Sequence, residues 1–379
     1  MNHCKVLLCG IGGYGITYVN ALLDDTSGLY DFVGCVDPYP EKCTRYAEIV
    51  ARGIPVYGTL EEFYKEQDAE LCVICTPIHL HVPMMVYAME HGSHVLCEKP
   101  LCGDKRQIDA LIAVRERTGR NVSIGFQWAH AAEMLDCKKD ILRGIYGAPV
   151  LLKTIVLWPR NTEYYTRGIG WAGKMRAKDG SLIRDSVANN ATAHYLFNPY
   201  FLLGETIDRA RMPDSLESHT WRANPIETFD TAIIRGKFDV GGEVVYVGSH
   251  AVDRVRGPHF VYRFENGTFT YRNDGHLYAE LTAGTYADGK TTHDYGDPFS
   301  DDTRKLRIAA ENVVNGTHDT PCSIEAAAVQ TKIIAAVHEQ NPEAAVYPPE
   351  RVYVGKYNDK PAVICRGLYE ELNAFYDAL

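Results

Sequence analysis

A chain of 379 residues exceeds the ~100–200 residues of one ordinary domain and leaves room for two. Its 46% hydrophobic and 23% charged residues are those of a globular protein, and a formal charge of -10 with no block of lysines and arginines makes nucleic acid an unexpected partner. No apolar stretch reaches the ~18 residues of a membrane span, Met1–Gly10 leaves no room for a signal peptide, and 11 cysteines lack metal-type spacing, so a cytoplasmic protein without a metal site is expected.

Lys5–Cys9 is a short apolar run that leads at once into Gly10-Ile11-Gly12-Gly13-Tyr14-Gly15 and the helix-like stretch Ile16–Leu23. In this strand, turn and helix, Gly10 permits the tight turn, Gly12 lets the backbone approach a pyrophosphate, and Gly15 lets helix and strand pack closely. The helix amino terminus, with Gly13 and Tyr14 before it, then faces the anion. A second apolar run, Phe32–Val36, ends in Asp37, near the ~20-residue distance expected of the carboxylate that holds the adenosine ribose. Its charge would repel a 2'-phosphate, which favours NAD over NADP. Asp37 also has the chemistry of a turn residue before Pro38 and Pro40, and Lys42 and Arg45 are close enough to meet a phosphate, although they fit the solvent face of a helix over Glu41–Arg52 better.

The alternation continues with a helix near Leu60–Lys65, strand Leu71–Cys75, helix Val82–His91, strand His94–Cys97, helix Lys105–Thr118 and strand Val122–Phe126. Wholly apolar strands alternating with helices predict an α/β Rossmann domain, a parallel doubly wound sheet covered on both faces. Cys72 and Cys75 point to opposite faces of one such strand and read as core. Ligands collect at the carboxyl ends of such strands, where three segments fall: the glycine loop, the stretch with Thr76, Pro77, His79 and His81, and Glu98-Lys99-Pro100.

GIGGYG, VDP, CTPIHLH and above all HVLCEKPLCGD closely resemble the Gfo/Idh/MocA oxidoreductases, the glucose-fructose oxidoreductase and inositol dehydrogenase family, from about residue 4 to 127 and more loosely beyond. The resemblance implies that Lys99 lies against the nicotinamide and the reacting hydroxyl, that Glu98 contacts the neighbouring ribose, and that Pro100 shapes the turn. Oxidising an alcohol needs a base for the hydroxyl proton while the cofactor takes the hydride, and a lysine desolvated beside a cationic ring has its pKa lowered for that task. The family also implies an Asp and a His four residues apart at the start of a helix ending in a Leu-Leu-Gly-like segment. Counted back from Gly204, His194 takes the histidine place and Asn190 the aspartate's, an amide where a carboxylate is usual; counted from Asp185, Asn189 takes the histidine place. The first register is preferred, because Asn190 and His194 at i and i+4 would share a helical face, and Asp185 stays in reserve.

The remaining chain carries strand signals over Leu151–Trp158, Asp230–Phe238, Gly242–Ala251 and Phe260–Tyr271, the last with an Asn266-Gly267 hairpin turn, and helices near Thr303–Asn315, Ser323–Glu339 and Gly367–Ala378. These predict an α+β domain with a large, mostly antiparallel open sheet. The boundary falls as residues 1–127 and 128–379, with the last helix a candidate to pack back on the first domain, and the family resemblance implies a homodimer or homotetramer through the open sheet. Between strand and helix, Arg160, Tyr164, Tyr165, Arg167 and Trp171 form an aromatic and cationic loop suited to a carbohydrate ring. Trp128 and His130 extend that wall, with Gln127 beside them on the cofactor side; packing of a domain junction is the alternative for each of these aromatics. The expected activity is NAD(H)-dependent oxidation of a secondary hydroxyl on a sugar, glycoside or cyclitol. The alternatives are a redox-neutral enzyme that keeps NAD bound and oxidises its sugar transiently for cleavage, elimination or epimerisation, and a cofactor-binding regulator without catalysis.

Overall fold

A computed structural model describes residues 3–166 and 170–379. Strands β1 (Cys4–Cys9), β2 (Tyr30–Val36), β3 (Val56–Tyr57), β4 (Leu71–Ile74), β5 (His94–Cys97) and β6 (Val122–Ile124) form a 6-stranded sheet in the order β3-β2-β1-β4-β5-β6. Every pairing is parallel. The crossovers hold α1 (Gly15–Leu23), α2 (Tyr46–Ala51), α3 (Leu60–Glu66), α4 (His81–Glu90) and α5 (Ile108–Thr118), and α6 (Gln127–His130) follows β6. On α1, Tyr18, Val19, Leu22 and Leu23 are buried at helical spacing and pack with Val6 and Leu8 of β1. The Thr59 side chain accepts from Glu62 N–H and the Glu62 side chain answers at Thr59, a reciprocal cap that starts α3. The strand order reverses between β1 and β4, the place where such sheets leave a crevice for a ligand.

The chain continues with α7 (Ala132–Leu142), β7 (Pro149–Leu157), α8 (Thr162–Thr166) and α9 (Ala193–Leu202). Strands β8 (Ser215–Arg222), β9 (Thr231–Lys237), β10 (Glu243–Ser249), β11 (Arg256–Phe264), β12 (Gly267–Tyr271), β13 (Leu277–Leu281) and β14 (Thr292–Gly296) follow. Then come α10 (Arg304–Asn315), α11 (Ile324–Gln340), β15 (Ala345–Val346), β16 (Val352–Tyr357), β17 (Lys360–Cys365) and α12 (Leu368–Asp377). A 9-stranded sheet runs β14-β13-β12-β11-β7-β10-β9-β8-β15. It is antiparallel except where β10 meets β7 and β15 meets β8. The anticipated hairpin turn lies one residue early: Phe264 pairs with Gly267, so Glu265 and Asn266 make the turn and Gly267 opens β12. A Cβ on Gly267 would come within 2.8 Å of Glu280 O, which explains a glycine in the strand itself.

The chain forms two compact units, one running to His130 and completed by Asp301–Ala328, the other holding Ala131–Ser300 and Val329–Leu379. A single cut at 127/128 therefore misses the return of α10, whose Leu306, Ala309 and Ala310 are buried with Val6, Leu8 and Val73 in the first unit's core. The last helix belongs to the second unit: Leu368, Leu372 and Tyr376 of α12, with Cys365 of β17, pack over Leu151, Ile155 and Leu157 of β7 and Val245 and Val247 of β10. That part of the sheet face, expected to be open for a second subunit, carries the chain's own C-terminal segment. Among the described residues, no helix is long and apolar enough to cross a membrane.

Candidate active site

In the first unit, the glycine loop leaves β1 where the switch point requires. Gly10 has φ +83, and a Cβ there would lie 2.4 Å from Cys75 O; a Cβ on Gly15 would lie 2.0 Å from Gly10 O. Both positions need glycine for the protein's own packing, as the spacing predicted. At Gly12 a Cβ would meet nothing within 4 Å, so that glycine's backbone faces open space, as approach by a ligand demands. No side chain caps the start of α1; the Gly15, Ile16 and Thr17 N–H groups donate to Gly12 O, Gly13 O and Tyr14 O, so a pyrophosphate would meet the glycine-loop backbone that precedes them. Asp37, past the end of β2, accepts from Ile11 N–H at 3.0 Å and from Tyr39 N–H at 2.8 Å, so it braces the glycine loop from the place where a ribose carboxylate belongs.

The Thr76–His81 and Glu98–Pro100 segments meet through His81. This imidazole is buried, with Nδ1 2.8 Å from Pro100 O and Nε2 2.9 Å from Thr76 O. Burial lowers its pKa. Both ring nitrogens face main-chain carbonyls, so His81 ties the two loops together and offers no nitrogen to a cofactor. Thr76, Pro77 and His79 stay half-buried at the loop itself.

Glu98 is buried at 6% exposure. Its Oε1 accepts from the Tyr18 hydroxyl at 2.7 Å and from Lys305 Nζ, and its Oε2 accepts from Lys99 N–H at 3.2 Å. A Cβ on Gly125 would lie 2.9 Å from Glu98 Oε1, so that glycine makes room for the carboxylate. Burial alone would raise the Glu98 pKa, but the Lys305 ammonium outweighs it and holds the carboxyl below its ordinary range. Burial likewise works against the Lys305 ammonium, and Glu98 outweighs that and raises it. Lys305 also reaches the Tyr14 hydroxyl at 3.3 Å, so one cation joins the glycine loop to the Glu98-Lys99-Pro100 turn. Lys99 is half-buried beside this anchored carboxylate.

Lys305 and Tyr18 were not singled out from sequence. A signal existed for the lysine: it occupies a core-facing position of α10, in register with Leu306, Ala309 and Ala310. A cation in the apolar register of an amphipathic helix calls for a buried partner.

Trp128 and His130 do not form a substrate wall. Each is 1% exposed, and His130 is held by Ser123 Oγ at 2.8 Å and Phe126 O at 3.1 Å, with burial lowering its pKa to about 4. Gln127, at the start of α6, is half-buried.

In the second unit, Asp185 is buried, and its Oδ2 accepts from Gly173 N–H at 2.6 Å. Arg184 before it has φ 52, a left-handed conformation costly for a side-chain-bearing residue. Asn189 is buried and structural: its amide donates to Ile183 O and Arg184 O and accepts from Gln330 Nε2 at 3.0 Å. Residues 187–192 are turns, and α9 begins only at Ala193 after the N-cap Thr192. Asn190 therefore precedes the helix, and the shared helical face expected for Asn190 and His194 is not formed. Both residues are half-buried at the mouth of α9.

The Trp158 ring meets Tyr195, the residue after His194, edge-on at 5.5 Å. Arg160 Cζ lies 5.6 Å from the Trp158 ring and 4.9 Å from the Tyr164 ring, and Tyr164 is 5.1 Å from Tyr165. The structure thus links Trp158, Arg160, Tyr164 and Tyr165 in a run of successive contacts, with Trp171 half-buried nearby in sequence; Arg167 lies outside the described residues. Among the described residues, no group of three or more His, Cys, Asp or Glu side chains is placed to hold a metal ion. None of the 11 cysteines is in a disulfide, and Cys72 faces Cys9, Sγ to Sγ at 3.7 Å, within the sheet.

Comparison with known proteins agrees with this geometry. Residues 4–126 match the family model described as oxidoreductase family, NAD-binding Rossmann fold. An uncharacterized oxidoreductase of Rhizobium meliloti is 44% identical over 66 residues, 17% of this chain and 20% of its own. Inositol 2-dehydrogenase 4 of Saccharopolyspora erythraea is 29% identical over 149 residues, 39% of this chain and 44% of its own. The chain thus spans less than half the length of these curated relatives. The WlbA dehydrogenase of Bordetella pertussis, solved with NADH and UDP-GlcNAcA, superposes with a TM-score of 0.72 at 18% identity over 90% of this chain and 97% of that one. An oxidoreductase of Agrobacterium radiobacter, solved with NAD+, L-tartaric acid and magnesium, gives 0.71 at 16% identity over 90% and 98%. At such identities the superpositions establish the fold of both units. The family match and the glycine loop establish more for the first: residues 4–126 belong to the NAD-binding Rossmann fold of the Gfo/Idh/MocA oxidoreductase family.

Proposed function

We propose that the protein is an NAD(H)-dependent oxidoreductase that acts on a secondary hydroxyl of a sugar, glycoside or cyclitol. The observation that carries this reading is the fixed Glu98-Lys99-Pro100 turn at the end of β5: Tyr18 and Lys305 immobilise Glu98, and its carboxylate holds the Lys99 N–H. The residues present fit the dinucleotide, with an uncapped α1, open space at Gly12, and Asp37 beyond β2. NAD, when bound, supplies the hydride acceptor. Lys99 accepts or shares the hydroxyl proton, His194 is its partner in proton handling, and Lys305 positions Glu98. Arg160 and Tyr165 orient the sugar.

The redox-neutral reading keeps one observation in its favour: the residue four before His194 is the amide Asn190, and the nearby carboxylate of Asp185 accepts from Gly173 N–H. The test is turnover of a panel of sugars, glycosides and cyclitols by purified protein with and without added NAD. NADH appearing in proportion to substrate supports the dehydrogenase. Glycoside conversion without added NAD and without net NADH excludes it in favour of the redox-neutral enzyme.

A further inference from the structure

Arg160 lies in an aromatic cluster of the second unit. Its guanidinium is half-buried between the rings of Trp158 and Tyr164. The Trp158 ring is itself locked by Nε1 donating to Gly257 O at 2.9 Å. A guanidinium carries five N–H donors, yet the hydrogen bond seen here is a long one of 3.4 Å to the adjacent Pro159 O. Its Nε is fully buried with no acceptor among the described residues. No carboxylate among them lies within ion-pairing distance.

A second buried donor lies in the same neighbourhood. The Tyr165 hydroxyl is buried and has no partner among the described residues. Burial first, then Asp230, Tyr164 and Asp185, raise its pKa, and Arg160 opposes them, so the phenol stays a neutral donor. Asp230 accepts from Ala223 N–H, Asn224 N–H and the Asn224 amide, and Asp185 accepts from Gly173 N–H. His250, stacked obliquely 5.6 Å from Tyr164, has Nδ1 committed to Trp158 O at 2.8 Å.

A buried guanidinium nitrogen and a phenol, both without acceptors, carry a desolvation cost that a ligand would relieve. Neutral hydroxyls would satisfy the hydrogen bonds but leave the guanidinium without a counter-ion in contact. We propose that Arg160, with the Tyr165 hydroxyl, binds an anionic pair of oxygens on the substrate, the carboxylate of a sugar acid or the phosphate of a sugar phosphate. The proposal rests on the carbohydrate dehydrogenase reading. The planar fork of arginine matches either group in a bidentate contact, and the flanking rings fix its plane.

The test compares kcat/KM on matched sets: hexoses, the corresponding uronates, and the corresponding hexose 6-phosphates, in the presence of NAD. One anionic series is expected to exceed its neutral counterpart by about 10–150-fold, the worth of a charge-assisted hydrogen bond. The uronate and phosphate arms tell the two sources apart. Arg160→Gln should collapse that ratio to within about threefold, whatever it does to turnover as a whole. Equal use of neutral and anionic sugars, or a ratio unmoved by Arg160→Gln, overturns the anion site and leaves the dehydrogenase standing. If NADH binds yet no sugar is oxidised, the dehydrogenase reading fails, and calorimetry of uronates and hexose phosphates on the NAD-loaded protein decides the site: binding lost in Arg160→Gln supports it, and no binding overturns it.

Discussion

Lys305 and Glu98 form a buried ion pair, with side chains 2% and 8% exposed. Removing one partner of such a pair leaves a buried uncompensated charge and costs ~3–5 kcal/mol. Two signs follow for pH. The Glu98 pKa is depressed in the folded protein, so its contribution is present above the ordinary carboxylate pKa and is lost as pH falls through the folded value. The Lys305 pKa is raised, so its contribution is present below the ordinary lysine pKa and is lost as pH rises through the folded value. Lys305→Met deletes the cation and leaves burial as the main influence on Glu98, which then raises its pKa above the ordinary value. The variant should melt well below the parent at neutral pH, and the gap should narrow as pH falls toward about 5 and Glu98 takes up a proton. Melting curves from pH 5 to 8 check this; a gap that is absent, or that widens on acidification, contradicts it. Asp37 was legible in sequence from its distance past the glycine turn, and Glu98 from its place directly after a strand in a motif that resembles the family's. Lys305 was not, because it lies 207 residues from its partner and its assignment needs the fold.

The strand, glycine turn and helix of β1 and α1 separate the two uses of glycine. A Cβ on Gly15 would lie 2.0 Å from Gly10 O, a clash with rigid backbone, whereas a Cβ on Gly12 would touch nothing within 4 Å. Gly15→Ala should therefore cost ~1–3 kcal/mol or more through overpacking and lower the melting temperature. Gly12→Ala should leave melting unchanged and weaken NADH binding by at least tenfold, because the added methyl enters the space reserved for the pyrophosphate. Calorimetric melting and an NADH titration of both variants test the pair, and equal affinity in Gly12→Ala would contradict it. Periodicity located β7, β9, β10 and the helices α10, α11 and α12 to within a few residues, since each buries one regular face. It failed before α9, where the chain holds Asp185, Asn189 and Thr192 by side-chain bonds to the backbone. No 3.6-residue pattern marks such turns.

At the scale of the molecule, the two sheets were legible as classes: apolar strands alternating with helices for the parallel one, hairpin signals for the antiparallel one. The discontinuous first unit was not, because a linear reading cannot see α10 return to the core of β1 and β4. Nor was the cover that α12 lays over β7 and β10, since an amphipathic helix declares an apolar face without naming what it meets. The proposed function has Lys99 act on the proton while the rest of the first unit holds the dinucleotide. The most direct measurement is an NADH titration and a steady-state rate on Lys99→Ala beside the parent. NADH affinity should stay within about threefold while kcat falls by at least ~100-fold, the lower end of what a positioned acid–base group contributes. An undiminished kcat, or affinity and rate lost together, would contradict the account.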